Sequence, residues 1–477
     1  MTASKAASKA ASMTTSFRQL AARALIGAAL LLCAAAPAAA TKIDRVVSPA
    51  GIEIWLVREP TVPLIAMDFA FRGGSSQDPA DKPGLASMVA GLIDEGSGDL
   101  DSKNFHERAE SKAIEISFQA LRDLFSGSLR TLVENKDQAF ELMRTSLNAP
   151  RFDPADVERI RGETYAILRR QTTSPDELAS KRWWETAFAG HPYGRPVRGT
   201  FDSVAAMTAD DLRGYVKNVF ARDTLKVGIV GNIDAATAGA LVDKVFASLP
   251  AHASLKEVPY AQPQGIGSVV HVDLDVPQSV VLLGGAGIPR KDPDFMAAFL
   301  VNHILGGAAM SSRLYSEVRE KRGLAYSIYS TLVPLDETSL FMSATATRTE
   351  AAGQTLDLVT QEIRRIAEQG PTAEELAKAK SYQKGSFPLR FDTSTKIASQ
   401  LVLMQVEDLG IDYIDKRNDL VEAVTLADMK RVAKRLFEGG MLVAMVGRPQ
   451  PALARTDVPA AGSAAGTAGA PTLLQAR

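Results

Sequence analysis

Cysteine is nearly missing: the 477 residues contain only Cys33, so no disulfide can close within the chain. Histidine is scarce as well. The five are His106, His191, His252, His271 and His303, and no two lie closer than 19 residues. A pair of imidazoles one helical turn apart, the common way to hold zinc on a helix, is therefore absent. Neither sign of charge is in excess, with 54 Lys+Arg against 55 Asp+Glu. A nucleic-acid-binding protein needs a clustered basic surplus, so that class gains no support. Beyond the first 40 residues no apolar run is long enough for a membrane-spanning helix. No G-x-S-x-G nucleophile turn is present either. What remains is ordinary for a globular enzyme or binding protein: 46% apolar and 23% charged residues, which argues against a disordered, collagen-like or coiled-coil chain.

Residues 1–40 read as an export signal. They carry Lys5, Lys9, Arg18 and Arg23 but no acid, then the apolar run 24–36, Pro37 and three alanines. A positive start, a short apolar stretch and a small-residue end define a secretory signal peptide, with Met1 or Met13 as the start. Cys33 falls inside it, and Leu31 and Leu32 before it fit a lipoprotein site poorly. Cleavage near Thr41 removes four positive charges and takes the net charge from −1 to about −5. The expected compartment is a bacterial periplasm, or the medium.

The rest of the chain repeats itself. Val204-Ala-Ala-Met-Thr208-Ala-Asp-Asp211-Leu212 leads to Phe220, an apolar strand at 225–230 and Gly231. Val421-Glu-Ala-Val-Thr425-Leu-Ala-Asp428-Met429 leads likewise to Phe437, a strand at 441–446 and Gly447, at an offset of 217 falling to 216. In each copy the Thr reads as an N-cap before an amphipathic helix and a buried strand. A second echo sets Pro154-Ala-Asp-Val-Glu-Arg against Pro371-Thr-Ala-Glu-Glu-Leu, each opening a long helix. A period near 217 is too long for a solenoid and implies a duplicated domain. Further strands are predicted at 52–57, 65–72, 269–274, 279–284 and 325–332, alternating with long helices, so each half is α+β. The expected layout is an N-terminal domain at 41–250, a Pro- and Gly-rich linker at 251–265, a C-terminal domain at 266–450 and a disordered tail at 451–477.

A set of short motifs carries a resemblance. Gly73-Gly74-Ser75, Gly84-Leu85-Ala86 and Gly96-Ser97 come first. His191-Pro192-Tyr193-Gly194, Gly199-Thr200, Val230-Gly231-Asn232, Leu305-Gly306-Gly307 and Ser312-Arg313-Leu314 follow. Together they resemble the pitrilysin/insulinase zinc peptidases, including mitochondrial processing peptidase and its bacterial relatives, over about residues 43–449. The resemblance implies two homologous halves, each an α/β-sandwich-like domain with a mostly antiparallel sheet and packed helices, joined by a linker into a clam-like shell.

Metal-bearing members of that family carry H-x-x-E-H directly after Gly-Leu-Ala, two His for zinc and a Glu as general base. Here the window reads Ser87-Met88-Val89-Ala90-Gly91. Ser87 and Gly91 stand where the His would be and Ala90 where the Glu would be, so no metal site or cofactor is expected in this chain. Glu163, 72 residues past Gly91, lies in the region of the family's third ligand and reads as a remnant or plain surface. His106 reads as part of a solvated helix face, His191 as shaping a turn and His303 as a satisfied core residue.

A different signature survives. Ser311-Ser-Arg-Leu-Tyr-Ser-Glu-Val-Arg319-Glu-Lys-Arg322-Gly323-Leu-Ala-Tyr326 resembles the family's arginine/tyrosine segment, in which an Arg and a Tyr seven residues apart face the zinc site. The spacing selects Arg319 with Tyr326 rather than Arg322. On spacing alone, 317–322 also reads as a solvated helix face and Tyr326 as an ordinary strand aromatic. The resemblance implies a heterodimer. A homologous H-x-x-E-H subunit would hold zinc and base, and this chain, inactive alone, would supply Arg319 and Tyr326 as catalytic residues acting on peptides or unfolded protein. The alternative is a non-catalytic structural or peptide-binding scaffold of the same fold.

Overall fold

The computed structural model describes residues 42–448. The expected export signal at 1–40, with Cys33, and the expected tail at 451–477 lie outside the described residues.

Two mixed, mostly antiparallel sheets organise the chain. The first contains β1 (Asp44–Val47), β2 (Glu53–Arg58), β3 (Leu64–Arg72), β4 (Glu115–Ala120), β5 (Leu124–Leu132) and β6 (Lys226–Gly231), in the order β1-β2-β6-β3-β5-β4. The second contains β7 (Val269–Asp273), β8 (Gln278–Ala286), β9 (Ala325–Leu335), β10 (Thr338–Arg348) and β11 (Leu442–Gly447), in the order β7-β11-β8-β10-β9. The orders superimpose strand for strand, with β1 as an extra edge. In each sheet one parallel pair, β2 with β6 and β7 with β11, sits among antiparallel neighbours. The helices up to residue 250 are α1 (Leu85–Ala90), α2 (Ser102–Glu110), α3 (Lys136–Asn148), α4 (Pro154–Gln171), α5 (Pro175–Ala187), α6 (Phe201–Ala206), α7 (Ala209–Val219) and α8 (Ala235–Phe246). Those after it are α9 (Phe295–Asn302), α10 (Ala352–Gln369), α11 (Ala373–Ser386), α12 (Ser394–Val406), α13 (Tyr413–Ala423) and α14 (Leu426–Phe437).

The repeat seen in the sequence is built as expected. Thr208 and Thr425 each cap a helix through a reciprocal capping box, with Asp211 and Asp428 respectively. Each helix then feeds a buried strand, β6 or β11.

Each sheet is buried on one face and, over part of its strands, on the other, and the two faces are covered differently. Ile54, Leu56, Met67, Phe69, Phe71 and Ile229 point to helices of their own half. Their neighbours Trp55, Val57, Ala66 and Val230 point the other way and pack on Ala398, Leu401 and Met404 of α12, which belongs to the second half. The second sheet mirrors this. Val281, Leu283 and Phe341 face α9, α10 and α14, whereas Val280, Leu282, Leu340 and Val446 pack on Trp183, Trp184 and Ala187 of α5, from the first half. The alternation follows from the period of two along a strand. The halves therefore exchange one helix each.

The exchanged helices also make matching polar contacts. Trp183 Nε1 donates to the Leu442 carbonyl of β11 at 3.1 Å, and Gln405 Nε2 to the Val227 carbonyl of β6 at 2.9 Å. Only a glycine allows the first approach: a Cβ at Gly284 would lie 2.4 Å from the Trp183 ring. The two α/β halves expected from the sequence are present, and each lends one helix to the sheet of the other. Periodicity marks α5 and α12 as buried but does not say against which sheet.

Residues 251–265 form no helix or strand and are pinned to both halves. Lys256 exchanges two hydrogen bonds with the Gln77 side chain, and Ala261 N donates to the Glu337 carbonyl at 3.0 Å. A buried polar cluster adds to the contact between halves. Asp123 accepts from the Tyr193 hydroxyl (2.8 Å) and from Asp336 N (3.0 Å), and the Tyr193 hydroxyl accepts from Glu337 N (3.0 Å). Burial pushes the Asp123 carboxyl up to about 6.

Candidate functional site

The helix that would carry a metal motif is short. Gly84, at φ +93°, turns the chain into α1, and the buried Asp78 carboxylate accepts from Gly84 N (2.7 Å) and Ala86 N (2.9 Å). Two motifs distant in sequence meet here, because a Cβ on Gly84 would lie 2.6 Å from Gly199 N. The helix ends at Ala90. The side chains at its critical positions are all committed or minimal. Ser87 Oγ donates to the Val197 carbonyl at 2.7 Å, Ala90 presents a methyl group and Gly91 nothing. These residues do not fit zinc or a general base. Among the described residues no group of three or more His, Cys, Asp or Glu is placed to hold a metal ion.

Glu163 is exposed on α4 and held by a cation: Arg159 Nη1 lies 3.0 Å away, while Arg159 Nη2 reaches Glu95 at 2.5 Å. His106 lies on a solvated helix face, its side chain 43% exposed, and its Nε2 also comes within 3.3 Å of Glu95 Oε2. Glu95 is eleven residues back in a loop, a proximity that helical spacing cannot reveal. His191 shapes a turn: its Nδ1 accepts from Tyr193 N at 3.1 Å, which leaves Nε2–H to donate to the Pro259 carbonyl at 2.8 Å.

His303 is a core residue, 6% exposed and stacked on Tyr382, with Gln383 Nε2 3.0 Å from its Nδ1. Burial lowers its pKa to about 4. The fold therefore holds the neutral ring, while the unfolded chain takes up a proton near pH 6.5. Stability from this residue is full above pH 6.5 and is lost as pH falls toward 4, by about 3 kcal/mol. His303→Phe should remove that part of the decline, read as the difference between wild-type and variant urea midpoints from pH 7 to 4. Parallel curves would refute it.

The arginine/tyrosine segment is ordered by its own side chains. Residues 315–320 form a π-helical turn in which Lys321 N bonds the Ser316 carbonyl at 3.0 Å, five residues back. Leu324 N reaches the Val318 carbonyl at 2.9 Å and closes the turn around Gly323, at φ +60°, after which β9 begins. Arg319 and Tyr326 come together across this turn, as the spacing predicts. The Arg319 guanidinium carbon sits 4.7 Å from the Tyr326 ring centroid and 4.9 Å from that of Tyr315, and Nη1 donates to the Tyr315 hydroxyl. A planar cation between two aromatic faces has its orientation set before any ligand arrives. Tyr326 is 81% exposed and Tyr315 is buried. Sequence reasoning missed Tyr315; the signal was its place one helical turn before Arg319. Arg322 faces elsewhere, donating to the Glu317 carbonyl at 2.9 Å and its carboxylate at 2.6 Å.

Arg319 and Tyr326 line an open pocket of about 370 Å³ with Gln278, Arg348, Thr347 and residues 323–325. No carboxylate lines it. Its contents can hold a polar or anionic group by hydrogen bonds but offer no nucleophile or base.

Two duplicated α/β halves and a helix with Ser87, Ala90 and Gly91 at the motif positions give a metallopeptidase-like fold in which no metal centre is formed among the described residues. Residues 54–201 match the insulinase (peptidase family M16) model and residues 206–382 the peptidase M16 inactive domain. The chain belongs to the M16 insulinase family. An uncharacterized zinc protease of Streptomyces coelicolor is 26% identical over 405 residues, covering 82% of this chain and 86% of that protein. The non-peptidase homolog YmxG of Helicobacter pylori is 27% identical over 382 residues, covering 76% of this chain and 87% of that one. The crystal structure of a peptidase M16 inactive domain from Pseudomonas fluorescens aligns with a TM-score of 0.81 at 27% identity, covering 86% of this chain and 98% of that one. This chain is thus a homologue of zinc proteases with an inactive-type M16 fold. Among the described residues no helix is long and apolar enough to cross a membrane.

Proposed function

We propose that this chain is the non-metal subunit of a heterodimeric zinc metallopeptidase in the periplasm. A homologous subunit bearing H-x-x-E-H supplies metal and base, and this chain supplies Arg319 and Tyr326 to the peptide. The supporting observation is the contrast within one chain: Ser87, Ala90 and Gly91 offer no ligand, while Arg319 is held in place against an exposed Tyr326. Attack on a peptide carbonyl builds negative charge on its oxygen. A phenol donor and a fixed guanidinium stabilise that charge or grip the substrate backbone. The periplasmic assignment rests on the composition of residues 1–40.

Two measurements test the reading. Metal analysis after chelation and zinc reloading should find no tightly held zinc in the purified chain. One zinc per chain, lost on mutation near Ser87, would contradict the assignment. The chain alone should cleave no unfolded polypeptide in a chelator-sensitive manner, and mixing with a homologous subunit that bears H-x-x-E-H should produce cleavage. Strong activity of the single chain would overturn the proposal. Full activity of the partner without this chain would leave only the scaffold role.

A further inference from the structure

Arg348 ends β10 and is not part of the motif that pointed to the site. Strand register brings it there. Arg348 pairs with Gln278 on β8, and Thr347 pairs with Ala325 on β9, next to Tyr326. Arg348 and Arg319 therefore enter the same pocket from different strands and a helical turn.

The charge in that pocket is not balanced from within. Arg319 has no ion pair among the described residues, only the two tyrosines. Arg348 has one, Glu350 at 3.6 Å, with both side chains mostly in solvent, a contact of little energy. Of the acids in the same turn, Glu317 pairs with Lys321 and with Arg322 instead, and neither it nor Glu320 lines the pocket. Two guanidinium groups, a phenol and an amide match the hydrogen-bonding pattern of a carboxylate, and about 370 Å³ leaves room for the peptide residue that carries it.

We propose that Arg348, together with Arg319, makes this pocket a carboxylate subsite, so that the favoured peptides carry a carboxylate beside the segment held by Tyr326. Arg348 is then a specificity-determining residue. The inference rests on the peptide-binding reading of the Arg–Tyr site, but not on the partner subunit. The carboxylate has two possible sources in a peptide, an Asp or Glu side chain and the free C-terminus.

Binding of fluorescein-labelled decapeptides to the full chain, followed by anisotropy, separates the sources. One peptide carries an internal Glu and an amidated end, one is neutral with a free C-terminus, and one is neutral and amidated. Wild type should bind at least one of the carboxylate peptides about tenfold more tightly than the neutral amidated one, the size of one charge-assisted hydrogen bond. The peptide that gains identifies the source. Arg348→Gln should abolish the preference, and Arg348→Glu should favour a peptide with Lys in place of Glu. No measurable binding, equal affinity for all three peptides, or a preference that survives Arg348→Gln would overturn the proposal. Because no partner is present, a negative result here is distinct from a failure of reconstituted cleavage.

Discussion

Tyr326→Phe, in the assembled complex with a metal-bearing partner, is expected to lower kcat by about 10²–10³, the cost of losing one donor to a developing oxyanion. KM should change far less, since the contact strengthens in the transition state. The change removes one hydroxyl from a side chain that is already 81% exposed, so folding is untouched. Arg319→Lys should also impair turnover, because an ammonium group cannot lie flat between the Tyr315 and Tyr326 rings. Arg322→Lys is the control. Arg322 bonds Glu317 on the outer side of the turn, and its replacement should be nearly silent. The readout is kcat and KM of the three variants with the same partner preparation. Wild-type turnover in both Tyr326→Phe and Arg319→Lys would remove the catalytic role.

The second large effect concerns the exchanged helices. Trp183→Ala deletes a fully buried indole from the underside of the second sheet, with its hydrogen bond to Leu442, and is expected to cost about 3–5 kcal/mol. Leu401→Ala does the same beneath the first sheet, at about 2–5 kcal/mol. Each half contributes part of the other's core, so the halves should unfold together. The three tryptophans report on both places: Trp55 lies under α12, and Trp183 and Trp184 lie on α5. Guanidinium titrations of Trp55→Phe and of a Trp183→Phe/Trp184→Phe variant should each give a single transition, matching the one seen by far-UV circular dichroism. Two resolved transitions would show that the halves melt independently.

The strands that were legible from sequence are those with concentrated Val, Ile, Leu and Phe: β2, β3, β6, β7, β8, β9 and β11. β10 was not, although eight of the nine residues from Thr338 to Ala346 are buried. Its core positions include Ser343, Thr345 and Thr347, whose hydroxyls donate to the carbonyls of Tyr329, Ser327 and Leu324. A buried hydroxyl that is satisfied behaves as core but reads as loop. β5 was obscured by Ser126 and Ser128 on its partly exposed face and by Gly127 between them. In the site, Arg319 and Tyr326 were singled out because their seven-residue spacing matches the arginine/tyrosine segment of the family that the chain resembles. Gln278 and Arg348 were not, because only the pairing of β8 with β10 makes them neighbours.

The helix exchange also sets an order of events in time. All six strands of the first sheet are complete by residue 231, yet α12, which covers one of its faces, starts only at residue 394. At ordinary rates of synthesis that gap of about 160 residues lasts roughly 10–30 s. Throughout it Trp55, Val57, Ala66 and Val230 have no apolar cover from α12. Such long-range closure is slow to form and prone to aggregation until complete. The nascent N-terminal half should therefore be a client for holding chaperones, and α12 the segment whose arrival releases it.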